Sequence, residues 1–313
     1  MKKLLWICLF VTGSVVGQQL PQYSQYVFNE YAYNPAYAGV QPFYDVRSNN
    51  RYQWVGISDA PRTYTITING PSKNRKMGYG GYVFTDIVGP TRRIGAQASY
   101  AYHLTLKENG EESIKMSMGL SVGVLQWLVD GSKIRLKNPA DAVISEGLQS
   151  SIVPDAKFGI YLYEGEKWFF GAAIPNLLKS KLYFFNYQTS TLSFLNRHLM
   201  VNGGYKFDIG DDFQVEPSFM LKYVKPAPLK ADIMVRGIYK RQIWLGGSFR
   251  TNDAWSVMLG YLHKGSLQIG YSYDFTTTNL RNYSTGTNEI MLGIRFTDGS
   301  VYESKNKDKA MME

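Results

Sequence analysis

The sequence has almost no cysteine and few histidines, and these shortages exclude several classes of site. Cys8 is the single cysteine, and the three histidines are His103, His198 and His263. Because Cys8 lies in an N-terminal apolar run, the rest of the chain can hold neither a disulfide nor a cysteine metal site. The histidines are not clustered, and no G-x-S-x-G element is present, so no metal site or nucleophile elbow is indicated. We therefore expect no catalytic residue, no metal and no cofactor.

Long apolar runs and long basic runs are also missing. After the N-terminal region no apolar run reaches 18 residues, which excludes membrane-spanning helices. The formal net charge is +9, yet no Lys/Arg run exceeds two residues, so a nucleic-acid partner is not expected. The N-terminus itself reads Met1-Lys2-Lys3 followed by an apolar stretch, which predicts a secretory signal peptide over residues 1–17.

From residue 43 onward, apolar and polar residues alternate with a period of two, which is typical of β-strands with one apolar face. In RIGAQASYAYHLTL, residues 93–106, every second residue from Ile94 to Leu106 is apolar or aromatic. Runs of about ten residues suit tilted strands that cross a bilayer. We count fourteen such runs, near 43–52, 62–70, 76–85, 92–106, 112–127, 154–164, 166–174, 197–209, 212–223, 230–240, 241–251, 254–263, 265–275 and 287–297.

The polar faces of these runs carry charges, and the charges indicate where those faces point. A Lys or Arg at the midplane of a lipid-facing barrel surface costs ~2–4 kcal/mol. We therefore expect the basic residues of the polar faces to line a wet or protein-filled lumen: Arg47, Arg51, Lys115, Lys157, Lys206, Lys222, Arg236 and Arg295. A soluble two-sheet protein with a solvated charged face is the alternative.

Connection lengths favour an outer-membrane barrel over the soluble alternative. Every second connection is short, and the longest ones, 128–153, 175–196 and 276–286, fall among the others. Outer-membrane barrels have short periplasmic turns and longer outside loops. We therefore predict an all-β, transmembrane antiparallel barrel of about 14 strands over 43–297, with both termini periplasmic and long loops extracellular. Residues 18–42 are predicted to form a plug-like segment, and 298–313 a periplasmic tail.

The many apolar side chains of the long loops indicate a partner-binding surface, with packing of one loop on another as the alternative. The candidate partner-binding residues lie in the second long loop: Leu177, Tyr183, Phe184, Phe185, Tyr187 and Phe194. The excess of lumen Lys and Arg further predicts carboxylates on a partner segment or on the plug.

The stretch PQYSQYVFNEYAYNPAYAGV, residues 21–40, fits neither a regular strand nor a regular helix, because Pro35 lacks an N–H donor and restricts Asn34. It pairs a Q-Y-S-Q-Y element with N-P-A-Y-A-G about ten residues later, which resembles the opening signature of the PorP/SprF family. The sequence pattern of that family is also matched further on, by Arg51, Gln53-Trp54 and Ala60-Pro61. The plug motif residues are Tyr23, Gln25, Tyr26, Asn34, Pro35, Tyr37 and Gly39.

The resemblance implies a function. PorP/SprF proteins are outer-membrane barrels of the type IX secretion system in Bacteroidetes, some of which serve gliding adhesins. It implies a non-enzymatic barrel that binds and anchors a secreted, adhesin-like cargo protein through its C-terminal sorting domain, or links the secretion machinery to the outer membrane. Expected partners are the cargo, other type IX secretion components and outer-membrane lipid, with no small-molecule substrate. Two alternatives stay open: a FadL-like transporter of small hydrophobic molecules, whose plug also contains Asn-Pro-Ala, and a general porin.

Overall fold

The segments in which apolar and polar residues alternate form β-strands, because a strand places its apolar side chains on one face, towards lipid, and its polar side chains on the other, towards the lumen. The structure, a computed structural model, describes residues 20–108, 113–134, 147–182 and 193–296. Fourteen antiparallel strands form the wall, with β10 and β11 acting as one strand interrupted at Lys206. The wall comprises β1 (Tyr44–Tyr52), β2 (Arg62–Pro71), β3 (Met77–Val88), β4 (Thr91–Lys107), β5 (Ile114–Asp130), β6 (Leu148–Glu164), β7 (Trp168–Ile174), β10 (Leu199–Tyr205), β11 (Phe207–Ile209), β12 (Phe213–Tyr223), β13 (Lys230–Tyr239), β14 (Ile243–Arg250), β15 (Ala254–His263), β16 (Leu267–Thr276) and β17 (Thr287–Phe296).

The wall is closed, because its first strand pairs with its last. β1 runs antiparallel to β17 from the Tyr44–Phe296 pair to the Tyr52–Asn288 pair. On the far side, β10 pairs with both β7 and β12. Closure thus gives each wall strand a paired neighbour on both sides, with β10 and β11 counted as one strand. The prediction of an antiparallel barrel of about 14 strands is confirmed.

The two faces of the wall differ in chemistry as the alternation predicts. Along β4, Gln97, Ser99 and His103 are buried on the inner face, whereas Tyr100 and Tyr102 are exposed on the outer face. Outward aromatic pairs lie towards both ends, with ring centroids 4.5 Å apart for Phe249–Trp255 and 4.7 Å apart for Phe213–Tyr239. The outer face therefore presents an apolar band with aromatic residues near its two margins, as a bilayer requires.

The two ends of the barrel differ in the length of their connections. One end, here the short-turn end, carries brief turns such as 165–167 and 240–242, together with the start of β1 and the end of β17. The other, here the long-connection end, carries 131–147, 175–198 and 277–286. Within 175–198 a small separate hairpin forms from β8 (Lys181–Leu182) and β9 (Ser193–Phe194).

Several strand bounds differ from the predicted ones. β5 continues to Asp130 and β6 begins at Leu148, so the predicted loop 128–153 is shorter than expected. The reason is that β5 and β6 pair without interruption from Ile114–Glu164 to Asp130–Leu148, beyond the length that a bilayer needs. The run 197–209 is also divided, because β10 starts at Leu199 and the wall strand breaks at Lys206.

Helical structure is limited to single 3₁₀ turns in the described part of the chain. They are Tyr26–Phe28, Glu30–Ala32, Pro35–Tyr37, Gly131–Lys133 and Asn279–Asn282. Within the described ranges, no helix combines the length and the apolar character needed to cross a membrane.

Candidate functional site: an occupied lumen

The lumen is filled by the residues that precede the first strand. We call residues 20–43 the inner segment. It folds as three successive 3₁₀ turns, and the third begins at Pro35, whose ring suits the first position of a turn. The Asn34 side chain caps that turn, since its Oδ1 accepts a hydrogen bond from the Ala36 N–H at 3.0 Å. Nearly every described residue from Tyr23 to Ala38 is buried.

The inner segment runs the length of the lumen, starting at the long-connection end. There the Gln22 side-chain amide donates to Asp253 in the β14–β15 turn at 3.0 Å, and Leu20 lies beside Asn176 and His198. At the short-turn end, Gly39 adopts a φ of +74° close to Gly70 and Gly78. Among the described residues, Leu20 and Phe296 therefore lie at opposite ends of the barrel, and the periplasmic placement of both termini stays a prediction.

Glycines on the inner face of the wall admit the backbone of the inner segment. A Cβ atom at Gly78 would lie 1.9 Å from the Ala38 carbonyl oxygen. A Cβ at Gly119 would lie 2.3 Å from the Ala36 nitrogen, and one at Gly159 would lie 2.0 Å from Asn34 Oδ1. Such distances are far inside van der Waals contact, so these wall positions must lack a side chain. The motif N-P-A-Y-A-G thus fits a strip of glycines on β3, β5 and β6.

Polar side chains of the inner segment contact strands on all sides of the lumen. The hydroxyl of Tyr31 donates to Ser99 on β4 at 2.9 Å, and that of Tyr26 lies 3.2 Å from the Ser218 hydroxyl on β12. The Asn29 amide donates to Asn49 on β1 at 2.7 Å. Buried tyrosines contribute a large apolar area and need such partners for their hydroxyls. The segment is thereby tied across the barrel rather than along one wall.

Two basic residues of the wall bind carbonyl groups that the irregular backbone leaves unpaired. Lys157 Nζ donates to the Ala32 carbonyl at 3.0 Å, and His103 Nε2 lies 2.9 Å from the Ala38 carbonyl oxygen. Buried carbonyls outside regular structure need such partners. Glu30 is held by the Asn202 amide at 2.8 Å, and burial raises the pKa of this inner-segment carboxyl to about 8.

Ser24 lies at the centre of a buried ion-pair cluster, here the Ser24 cluster. The Arg51 guanidinium bridges Asp274 at 2.8 Å and Glu289 at 3.1 Å, and both carboxyl groups are almost fully buried. Arg250 pairs with Asp232 at 2.9 Å and also donates to Ser24 Oγ at 3.1 Å. Ser24 donates from its backbone N–H to Glu289 at 2.7 Å and from its hydroxyl to Asp274 at 2.7 Å. The inner segment therefore completes the hydrogen bonding of charges that would be costly to bury alone.

A cavity of about 350 Å³ remains open at the short-turn end, here the short-turn cavity. Val27, Phe28 and Tyr37 of the inner segment form part of its lining. Glu30, Val40 and Gln41 of the inner segment also line it. The remaining lining residues come from the wall strands and short turns, and include five basic side chains: Arg47, Lys206, Arg236, Arg241 and Arg295.

The structure places the predicted basic residues on the inner face but gives most of them carboxylate or carbonyl partners there. Arg47 pairs with Asp45 at 2.6 Å, Arg236 with Glu216 at 2.8 Å and Lys206 with Glu166 at 3.1 Å. Arg51 belongs to the Ser24 cluster, and Lys157 binds a carbonyl of the inner segment. The other three predicted basic residues also face inward: Lys115 on β5, Lys222 on β12, and Arg295, which lines the short-turn cavity. Carboxylates of the barrel itself, rather than of the plug, therefore supply most of the expected counter-charge.

The predicted motif residues all lie in the inner segment and are brought together in the lumen. Tyr23 and Thr65 have hydroxyls 2.5 Å apart, the Gln25 side chain donates to the Glu289 carbonyl at 3.3 Å, and Tyr37 packs edge-on against Tyr161. Of the predicted loop residues, Leu177 and Phe194 are half-buried near the β8–β9 hairpin. Tyr183, Phe184, Phe185 and Tyr187 lie outside the described residues.

The sequence prediction missed three members of the Ser24 cluster: Ser24 itself, Arg250 and Glu289. Arg250 could have been predicted from the alternation of β14, because every second residue from Trp244 to Arg250 faces inward. Glu289 occupies an inward position on β17. Ser24 gave no signal of its own, since its role depends on strands more than 200 residues away.

Comparison with known proteins identifies the family. The family model described as type IX secretion system membrane protein PorP/SprF matches residues 15–294. The chain belongs to the PorP/SprF family. The resemblance drawn from the Q-Y-S-Q-Y and N-P-A-Y-A-G elements is thereby confirmed, and membership implies involvement with type IX secretion components. None of the curated proteins searched matches this sequence.

Solved structures similar to this PorP/SprF barrel are outer-membrane proteins. The toluene transporter TbuX of Ralstonia pickettii aligns with a TM-score of 0.51 and 9% identity, covering 84% of this chain and 92% of that one. The toluene transporter TodX of P. putida aligns with a TM-score of 0.48 and 10% identity, covering 85% and 92%. A Pseudomonas aeruginosa FadL homologue aligns at 0.44 and 10%, covering 82% and 88%. At such identities the likeness shows the fold alone, an outer-membrane barrel.

The described residues offer no arrangement typical of a metal centre. No group of three or more His, Cys, Asp or Glu side chains there is placed to hold a metal ion. The histidines are separate: His103 binds the inner segment and Tyr163, His198 precedes β10, and His263 ends β15.

Proposed function

We propose that this PorP/SprF barrel is a non-enzymatic binding protein of the outer membrane. It anchors a secreted, adhesin-like cargo protein through the C-terminal sorting domain of the cargo, or it links the secretion machinery to the outer membrane. The observation that carries the proposal is the occupied lumen. A barrel whose lumen is crossed by a bound segment from one end to the other serves as a platform rather than as a channel.

The inner segment acts as a plug in this proposal. Its contacts to β1, β4, β12, β16 and β17 cross the lumen in several directions. Many of these contacts are buried hydrogen bonds, and those to ionised groups contribute about 1.5–3 kcal/mol each. Release of the segment would expose the charges of the Ser24 cluster, so the plugged state is strongly favoured.

Cargo binds, in this proposal, at the long-connection end, which faces the cell exterior while the short turns face the periplasm. The half-buried Leu177 and Phe194 lie there beside the β8–β9 hairpin, and exposed apolar loop surface commonly marks a partner site. The first described residue, Leu20, lies at the same end, so the start of the inner segment is on the cargo side.

A FadL-like transporter of small hydrophobic molecules is the second candidate, because the fold resembles that of TbuX. A transporter of that kind needs an apolar path. The lumen here is instead lined by ion pairs and by buried Ser, Thr and Asn side chains, such as Ser121, Thr67 and Asn202. These groups would have to lose their hydration or their partners as an apolar solute passed, which opposes transport.

Affinity purification from native membranes tests the proposal. With an affinity tag after residue 313, we expect a large secreted protein to co-purify through its C-terminal domain. Phe194→Ser should reduce its recovery, whereas Tyr283→Ser, which alters an exposed ring in another connection at the same end, should not. Recovery of the barrel alone, together with ion conductance in planar bilayers, would contradict anchoring and favour a channel.

A further inference from the structure

The short-turn cavity contains positive charge that the wall does not neutralise. Three of its basic residues have carboxylate partners: Arg47, Lys206 and Arg236. Arg241 and Arg295 have no carboxylate within ion-pair distance in the part of the chain that the structure describes. The lining carboxyl groups are those of Glu166 and Glu216, which are already in ion pairs, and that of Glu30, which is bound by Asn202, so these two guanidinium groups stay without an ion pair.

Arg295 is held in position by groups other than a carboxylate in ion-pair contact. Its guanidinium lies 4.7 Å from the centre of the Phe43 ring, and its Nη2 donates to Gln268 Oε1 at 3.4 Å. Its Nε is buried and lacks a hydrogen-bond partner among the described residues. A buried N–H without a partner is costly, and a guanidinium is suited to two parallel hydrogen bonds with a carboxylate.

The cavity is closed on its inner side by the inner segment, which favours binding of a ligand over its passage through the barrel. Phe28 and Tyr37 of the inner segment belong to its lining, and Phe28 is fixed between the Trp244 ring, at 4.8 Å, and the Arg236 guanidinium, at 4.4 Å. The lining includes no residue of the long connections at the opposite end. A ligand that enters from the short-turn end therefore stays there.

The backbone positions of Arg241 and Arg295 around the barrel indicate the size of the ligand. Arg241 lies in the β13–β14 turn and Arg295 on β17, so three strand-to-strand steps separate their backbones. At about 4.8 Å a step, this is roughly 14 Å along the wall. An extended peptide covers that distance with about four residues.

We infer that the short-turn cavity binds an acidic polypeptide segment whose carboxylates pair with Arg241 and Arg295. This inference rests on the proposed function, because it specifies the chemistry of a partner met at the short-turn end. The partner presents at least two carboxylates on an extended stretch, and its affinity falls with salt because the rim of the cavity is exposed.

Titration of the purified full-length barrel with a tetraglutamate peptide and with succinate tests the inference. We expect tetraglutamate to bind and succinate to bind more weakly. Arg241→Gln/Arg295→Gln should weaken tetraglutamate at least about tenfold, because each change removes a charged hydrogen-bond donor. Lys73→Gln/Arg75→Gln removes the same charge from an exposed turn at the same end, outside the cavity, and should change the affinity less than about twofold.

No binding of tetraglutamate, or equal weakening in both double variants, would overturn the inference. Succinate binding as tightly as tetraglutamate would overturn the polypeptide assignment. If the double variant lost heat-modifiability, the single change Arg241→Gln in the exposed turn would supply the measurement. The peptide titration needs no cargo, so its failure leaves the cargo purification to test the proposed function, and failure to recover cargo leaves the titration result unchanged.

Discussion

Adding one methyl group at Gly78 should displace the inner segment. In Gly78→Ala the new Cβ would lie 1.9 Å from the Ala38 carbonyl oxygen and 2.8 Å from the Gly39 nitrogen, and all neighbours are backbone atoms. Cβ contacts under 3.0 Å are essentially not found, so Ala38 must retreat by at least about 1 Å. That movement breaks the contact of its carbonyl with His103 Nε2.

The expected cost follows from these two effects. Overpacking of a tight site costs about 1–3 kcal/mol, and loss of a neutral hydrogen bond costs about 1 kcal/mol. The docked state of the inner segment should thus lose roughly 2–4 kcal/mol relative to the released state. Gly237→Ala is the matched control, because a Cβ on this β13 glycine meets its nearest neighbour at 3.9 Å.

Cleavage after Glu30 by a glutamate-specific protease measures the displacement. Glu30 is the single acidic residue between Leu20 and Tyr44, and it is buried in the docked segment. Mass spectrometry should find a new N-terminus at Tyr31 in Gly78→Ala much sooner than in the wild type or in Gly237→Ala. Equal protection of Glu30 in all three proteins would refute the reasoning that glycine at this position is what admits the backbone.

Three other predictions concern charge and pore blockage. Arg51→Met should lower the free energy of barrel unfolding by about 3–5 kcal/mol, and with it the thermal midpoint, because Asp274 and Glu289 lose their shared buried partner. Arg92→Met, which changes an exposed side chain, should have little effect. Equal midpoints in the two variants would contradict the role of the Ser24 cluster. Burial raises the pKa of Glu30 to about 8, so the docked segment binds more protons than the released one, and docking should weaken as pH rises from about 4.5 to about 8. Glu30→Gln should flatten that dependence in a series of thermal midpoints, and an unchanged slope would exclude Glu30 as its source. Deletion of residues 22–40 should open ion conductance in planar bilayers or lower the thermal midpoint, and a closed, equally stable barrel would exclude a plug role.

The wall was predictable from the sequence because its rule is local. Apolar and polar residues alternate within each strand, so the fourteen runs could be counted without knowing which strands pair. The bounds of β12, β15 and β16 match the predicted ones to within two residues. The extension of β6 back to Leu148 was not predictable, because its LQSSIV start alternates poorly and is held by pairing with β5. Strand length beyond the bilayer depends on that pairing rather than on burial in lipid.

The lumen was only partly predictable. The irregular conformation of the N-P-A-Y-A-G motif could be predicted from Pro35, whereas the backbone and Asn34 atoms closest to Gly78, Gly119 and Gly159 come near them only in the folded lumen. The direction of the inner segment could not be predicted. It is set by contacts such as Ser24 with Glu289, which lie 265 residues apart in the chain.

The position of the inner segment across the β1–β17 seam has a consequence for assembly. The segment bonds to Asn49 on β1 and, through Ser24, to Glu289 on β17, while Arg51 of β1 also binds Glu289. Pairing of the first strand with the last and docking of the segment therefore favour each other, since each brings together groups that the other needs. A newly made chain gains its full seam only when Asn29 meets β1 and Ser24 meets β17, so we expect the inner segment to act as an internal template on which the barrel closes.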